Sequence, residues 1–313
     1  MSDRPILLFG VTGQVGMDLR VQLAHWRDVL CPPRTVVNLL WPDEVRTYIR
    51  VSRPSLIVNA AAYTAVDAAE DNADEAAALN ADLPLLLAEE CLQRGIGLVH
   101  FSTDYVFDGR GGSGAPTPSG RRAYREDDRP EPLNVYGRTK LRGESAVQQS
   151  GAAYLLFRCC WVYSLMGRNF LLTMQRLARE GRSLNIVDDQ LGSPTWARAI
   201  AVAADEAIRQ LGAADGLGGL ERFGGTYHVA AGGETTWCGF ARAIMDRVEQ
   251  WPLPRWPQDR ERPSVRAIAT KDYPTKAVRP AFSVLDTAKL REVFGITLAD
   301  WSQQLDECLQ NPP

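Results

Sequence analysis

The 313-residue chain lacks any C-x-x-C pair, and its only histidines are His25, His100 and His228. No zinc spacing can be built from so sparse a set, so no metal is expected. The six cysteines, Cys31, Cys91, Cys159, Cys160, Cys238 and Cys308, read as small buried apolar side chains of a reducing compartment. The apolar run in "MSDRPILLFG" is five residues long, too short for a signal peptide or a membrane span. A cytoplasmic protein with no membrane partner is therefore expected. The net charge of -3 is spread along the chain without a basic block or a heptad run, which excludes nucleic acid and a coiled-coil partner. There is no internal repeat.

What the chain has is length and apolar content. With 45% hydrophobic residues over 313 positions, it can bury the core of one large domain or two modest ones. "PILLFG" is a short continuous apolar run, as in a strand buried on both faces of a parallel sheet. "VTGQVGMDLRVQLAHW" then puts Val15, Leu19, Leu23 and Trp26 on one helical face. "DVLCPP" reads as a strand, "DEVRTYIRVSRP" as a helix and "SLIVNAAA" as a strand. Two helical stretches fill residues 68–94, with Pro84 opening the second, and "IGLVHFS" is a further strand. This alternation predicts a doubly wound parallel sheet. Residues 109–133, rich in Gly, Pro and charge, read as a long loop of the kind that forms lids or disordered segments. A helix over "NVYGRTK" and a strand over "AYLLFRCCWVYS" follow. Further on come helices at "NFLLTMQRLARE", "PTWARAIAVAADEAIRQL" and "TTWCGFARAIMDRVEQ", strands at "LNIVDD" and "TYHVA", and the irregular, proline-rich "WPLPRWPQDRERP". Two short helices end the chain.

Four groups of residues carry chemistry. "GVTGQVG" places Gly10, Gly13 and Gly16 between the first strand and the first helix. There glycines let the backbone approach a pyrophosphate, and the helix N-terminus offers free N–H groups. Thr12 stands where the usual fingerprint has its middle glycine, and a plain tight turn is the competing reading. After the second strand, "LCPPRT" offers no acid but has Arg34, which favours NADPH over NADH; Arg34 reads equally as a solvated loop residue. Ser102, Thr103 and Asp104 sit at the carboxyl end of a strand, where ligands bind in open sheets; a helix cap is the alternative. Finally, Tyr136 and Lys140 lie one helical turn apart. A lone pair of this kind is more often a surface feature. Beside a nicotinamide, the ammonium would lower the phenol pKa from about 10. The phenol could then exchange a proton while a hydride moves.

Together with "IVNAAAYTAVD", "FSTDYVFDG", "PLNVYGRTKLRGE", "DDQLGSPT", "YHVAAGGETTW" and "RPAFSVLD", these motifs resemble the dTDP-4-dehydrorhamnose reductases, extended short-chain dehydrogenase/reductases, nearly end to end. The resemblance implies an α/β fold: a Rossmann-type doubly wound parallel sheet with a smaller, interleaved C-terminal substrate domain. Residues 1–160 would form the dinucleotide-binding domain, with 186–211 returning to it, and residues 161–313 the sugar-nucleotide domain. It implies NADPH-dependent reduction of the 4-keto group of dTDP-4-dehydro-L-rhamnose, with NADH as the alternative cofactor. Thr103 would polarise the keto group, Tyr136 would donate the proton, and Lys140 would bind the cofactor ribose and tune Tyr136. The implied cofactor set is Gly10, Thr12, Gly13, Gln14, Val15 and Gly16 at the first turn and Arg34, Asn38 and Leu39 after the second strand. Ala60, Ala61, Ala62, Tyr63 and Thr64 after the third strand, Phe101 on the fourth, Tyr136 and Lys140 complete it. Asp104 and Trp161 would meet the sugar.

Departures from the family pattern carry their own expectations. Cys159 and Cys160 replace Thr-Ser, which should alter packing more than chemistry. Phe282 replaces an Asn and bears on the nucleotide pocket. Some members dimerise around magnesium held by acids, one of which is Arg198 here. A cation disfavours such a site, so a monomer or weak homodimer is expected. Two rivals stand. One is another sugar-nucleotide enzyme of the superfamily, an epimerase or dehydratase; many dehydratases follow the strand-end Thr-Asp with a further acid, so Tyr105 after Asp104 disfavours it, while a reductase of another dTDP-6-deoxy-4-keto sugar stays open. A non-catalytic NADP-binding regulatory subunit is disfavoured by the intact Thr103, Tyr136 and Lys140.

Overall fold

The computed structural model describes residues 4–213, 216–252, 256–257 and 261–312. Part of the proline-rich stretch at 251–263 lies outside them. The first half alternates strand and helix: β1 (Ile6–Phe9), α1 (Gln14–Ala24), β2 (Val29–Leu30), α2 (Pro42–Ser52) and β3 (Leu56–Asn59). Then come the short α3 (Val66–Ala69) and α4 (Ala73–Ala77), α5 (Leu83–Arg94), β4 (Gly97–Thr103), α6 (Val135–Gln149) and β5 (Tyr154–Cys159). A π-helical turn, Ala78–Asp82, joins α4 to α5. The second half holds β6 (Val162–Tyr163), α7 (Phe170–Arg179), β7 (Leu184–Val187), β8 (Leu191–Gly192), β9 (Thr195–Trp196) and α8 (Ala197–Gln210). It continues with α9 (Gly218–Phe223), β10 (Gly225–Val229), β11 (Thr235–Thr236), α10 (Trp237–Asp246), β12 (Val265–Ile268), α11 (Ala288–Phe294) and α12 (Trp301–Gln310).

Six strands pair in parallel in the order β10-β5-β4-β3-β1-β2. This is the doubly wound Rossmann-type sheet, and its order reverses beside β1, where such sheets bind ligands. The strands β1, β3 and β4 are buried at every position because helices cover both faces. One face packs Leu19 and Leu23 of α1 against Ile200 and Ile208 of α8, with Leu290 and Phe294 of α11 filling the edge by β10. The other face takes Val45 and Ile49 of α2, Leu87 of α5 and Val147 of α6. A separate core joins Leu171 and Met174 of α7, Phe240 and Ile244 of α10 and Leu305 of α12.

Two sequence readings need correction. Within residues 186–211 only the helix lies on the main sheet. Strand β7 pairs instead with β12, a four-residue strand hidden in a polar run, while β10 takes the sheet edge beside β5. The 109–133 loop is irregular but firmly pinned, so it is no disordered segment. Tyr124 stacks on Phe107 at 4.2 Å and exchanges backbone hydrogen bonds with Val284 and Asp286. Glu126 Oε1 accepts from the His228 N–H, and Ser119 binds Glu234. Apart from the Phe107 stack, each contact reaches a residue more than 100 positions away, which composition alone cannot reveal. Among the described residues no helix is long and apolar enough to cross a membrane, and no group of three or more His, Cys, Asp or Glu could hold a metal ion.

Candidate active site

The glycine turn between β1 and α1 is shaped by close backbone approach. Gly10 has φ +84°, and a Cβ there would lie 2.3 Å from the Ala61 nitrogen. A Cβ on Gly16 would lie 2.1 Å from the Gly10 carbonyl oxygen. Gly13 starts α1 without a side-chain cap, and no acid sits in the helix's first turn. Thr12 and Gly13 are exposed, and Gln14 Oε1 accepts a hydrogen bond from Asn169 Nδ2 at 2.7 Å, tying the turn to the second half of the chain. This cradle, which a Cβ would fill, fits the pyrophosphate of a dinucleotide.

Beside it runs the 60–64 segment. Asn80, buried in the π-helical turn, accepts from the Tyr63 N–H at 2.9 Å and donates to the Tyr63 carbonyl at 3.0 Å and to Thr139 of α6 at 3.1 Å. Asn80 was not legible in the sequence, because a polar residue inside an Ala/Leu-rich helical run gives no hint that it faces inward. Beyond β2, Arg34 is exposed, Asn38 caps Leu40 and accepts nothing from Arg34, and Leu39 is half-buried.

At the end of β4 three groups meet. The Thr103 hydroxyl donates to Asp104 Oδ1 at 3.0 Å and accepts from the Tyr105 N–H at 3.2 Å, and it is the group that opposes the effect of burial on the neighbouring Tyr136 phenol. Thr103 Oγ1 thus uses its one proton and one of its two lone pairs. Lys140 is buried, and its Nζ donates to the Phe101 carbonyl at 2.6 Å. Helix α6 starts on Asn134, whose side chain accepts from the Gly137 N–H at 2.8 Å.

The electrostatics differ from the sequence expectation. Burial raises the Tyr136 pKa above its ordinary value, with Thr103 opposing. Lys140 does not lower it, because its ammonium is aimed at the Phe101 carbonyl. Burial also pushes Lys140 down to about 8. The phenol therefore keeps its proton, as a donor needs to.

Asp104 is buried behind Thr103, and burial pushes its pKa up to about 6 against hydrogen bonds from Ser283, Thr103 and Cys160. The folded protein binds this proton more tightly than the unfolded chain. The stabilisation is complete below about pH 4 and is lost as pH rises through about 6. Asp104→Asn is therefore expected to gain about 3 kcal/mol of stability relative to wild type between pH 4 and pH 7. Urea unfolding at both pH values measures this, and a pH-independent difference would refute it. Cys160 has a chemical neighbour after all: its thiol donates to Asp104 Oδ2 at 3.4 Å.

Trp161 has φ +42° and stacks face to face on Trp237, with centroids 3.5 Å apart; Phe170 tilts against Trp237 at 4.7 Å. A Cβ on Gly192 would strike the Trp161 ring. Trp237 was missed because "TTWCGF" reads simply as a helix start. Phe282 is fully buried beneath Arg121, whose guanidinium lies 5.5 Å from the ring centroid. Arg198 pairs with Asp18 of α1 at 3.3 Å and covers Trp196.

Comparison with known proteins gives a consistent result. The family model described as "RmlD substrate binding domain" matches residues 4–312. A dTDP-4-dehydrorhamnose reductase of Burkholderia thailandensis is 39% identical over 306 residues, covering 98% of each chain. That of Escherichia coli K12 is 38% identical over 300 residues, 95% of this chain and 94% of its own. The crystal structure of the Bacillus anthracis dTDP-4-dehydrorhamnose reductase in complex with NADP superposes with a TM-score of 0.84, at 29% identity, over 97% of this chain and 98% of that one. The Thermus thermophilus UDP-glucose 4-epimerase complex with NAD, 19% identical with a TM-score of 0.73 over 98% and 99%, shares the fold.

Proposed function

The chain belongs to the RmlD substrate-binding-domain family, and from that membership we propose that it reduces the 4-keto group of dTDP-4-dehydro-L-rhamnose to give dTDP-L-rhamnose. It is an NAD(P)H-dependent oxidoreductase of the dTDP-4-dehydrorhamnose reductase type. The observation that carries the finer reading is the Tyr136 phenol beside Thr103 at the end of β4, with Lys140 one turn along α6.

In this reading the bound nicotinamide supplies the hydride. The glycine cradle, with Thr12, Gln14 and Val15, holds the pyrophosphate. Ala60, Ala61, Ala62, Tyr63 and Thr64 line the cofactor, with Asn38 and Leu39 toward its adenosine and Phe101 toward the nicotinamide. Lys140 binds the ribose. Thr103 turns its hydroxyl from Asp104 to the keto oxygen, and Tyr136 gives that oxygen its proton, helped by the burial that keeps the phenol neutral. Asp104 and the Trp161 face meet the sugar. Residues 1–160 with α8 serve the cofactor, and the rest of residues 161–313 serve the sugar nucleotide. The Asp18–Arg198 pair argues against a magnesium bridge, so the enzyme works in the cytoplasm as a monomer or weak homodimer.

NADPH oxidation followed at the nicotinamide absorbance tests the reaction. The substrate is generated from dTDP-4-keto-6-deoxyglucose by an epimerase. Oxidation only with the epimerase present supports the proposal. Oxidation without it assigns another 4-keto sugar, and none at all assigns a cofactor-binding regulatory subunit.

Arg34 is the proposed partner of the adenosine 2′-phosphate. Arg34→Ala is expected to weaken NADPH about tenfold or more while sparing NADH, since it removes a charge-assisted contact that only NADPH makes. Titration with both cofactors measures this, and equal losses would remove the argument.

A further inference from the structure

Beneath α6 a band of buried polar side chains crosses four adjacent strands. Asn59 of β3 pairs in register with His100 of β4, Ser102 with Arg158 of β5, and Arg158 with His228 of β10. All five are buried, as are Lys140 and Glu144, which α6 lowers onto them one turn apart. Such a layer is unusual in a sheet otherwise packed with aliphatic side chains.

Arg158 is committed on every side. Its Nη2 donates to Glu144 Oε2 at 2.7 Å, its Nε to both carboxylate oxygens at 3.1 Å, and its Nη1 to the Glu126 carbonyl at 3.2 Å. His228 Nε2 lies 3.5 Å from Nη1, and the Phe107 ring centroid is 5.1 Å from the guanidinium carbon. Both histidines are neutral. Asn59 Oδ1 is taken by the Ala61 N–H, so the amide nitrogen donates to His100 Nδ1. Burial, with Lys140 near His100 and Arg158 near His228, holds both imidazoles well below their usual range.

The groups that face Lys140 are therefore few: Glu144 on its own helix, the neutral His100 and the Phe101 carbonyl on β4, and the Cys159 thiol on β5. Burial disfavours the ammonium, and Glu144 opposes burial. A buried ion pair is seldom needed for stability, because apolar residues of like volume serve as well. Its place one turn from Lys140 suggests another use.

We propose that Glu144, held by Arg158, is a positioning residue that keeps Lys140 charged at working pH and so sets the upper pH limit of turnover. The proposal rests on the roles given above to Tyr136 and Lys140.

The test uses the full chain. Lys140, Lys271, Lys276 and Lys289 are its only lysines, so NMR of protein labelled at the lysine Cε resolves each titration, and K140R assigns Lys140. In E144Q the Lys140 midpoint is expected to fall by about one pH unit. The basic limb of kcat falls with it, while KM for NADPH, measured below both midpoints, stays within about twofold of wild type. The double variant E144Q/R158M, which leaves no uncompensated guanidinium in the core, is expected to show the same fall. An unmoved Lys140 midpoint in either folded variant overturns the proposal. The midpoint is read without turnover, so the two readings separate. A fall in a protein that reduces no 4-keto sugar refutes the assigned reaction and leaves the control of Lys140 by Glu144 standing.

Discussion

Tyr136→Phe is expected to fold, bind NADPH as tightly as wild type and lose about 10²–10⁴-fold in kcat, the usual worth of a placed general acid. The substitution removes one oxygen. The ring stays edge-on to Tyr105, with centroids 5.7 Å apart, and the cap on Asn134 that starts α6 is untouched. What is lost is the phenol proton. Steady-state kinetics with the epimerase-generated substrate, beside a fluorescence titration of NADPH, separates the two quantities. Wild-type kcat in the variant would remove Tyr136 from the mechanism. A parallel loss of NADPH binding would instead make it a cofactor contact.

The second large effect belongs to the glycine turn. Gly10→Ala must place a methyl group 2.3 Å from one backbone atom of Ala61 and 2.4 Å from another of Ala60, while holding φ +84°. The dihedral alone costs about 1–3 kcal/mol, and neither neighbour is a side chain that can swing away. The turn has to shift off β3, and with it the N–H groups proposed to face the pyrophosphate. NADPH affinity is expected to drop at least about a hundredfold, equivalent to about 3 kcal/mol, and the melting temperature to fall. Gly13→Ala is the internal control for the backbone clash: its nearest approach would be 3.3 Å, to the Gly10 carbonyl, with no positive φ to maintain. NADPH titration and thermal melts of both variants check the contrast. If Gly10→Ala bound like wild type, the cradle would have been misplaced.

The parts of the fold legible in the sequence are those whose pattern is local. Ile6–Phe9 and Leu56–Asn59 are continuous apolar runs because helices cover both faces of the sheet, and Tyr136 and Lys140 share a helix face by spacing alone. The illegible parts depend on partners far along the chain. Val265–Ile268 alternates too briefly to announce a strand, and pairs with β7 some 80 residues earlier. Glu144, Arg158 and His228 look like surface residues until two strands and a helix bring them together. Asn80 faces inward only because a π-helical turn rotates it there. The Tyr136 electrostatics failed for a related reason: spacing gives the direction of the nearest charge, but burial, which spacing does not report, outweighs it.

The pinned loop also constrains the order of assembly. Its anchors are His228, Glu234, Val284 and Asp286, and the sheet edge beside β5 waits for β10 and for Leu290 and Phe294 of α11. Contacts of such high sequence separation form late and slowly. The glycine turn is laid down by residue 16, but the groups that steady it and its neighbour, Asn169 on Gln14 and Asn80 on Tyr63, come later in the chain, so the whole site is finished only when the far half has docked.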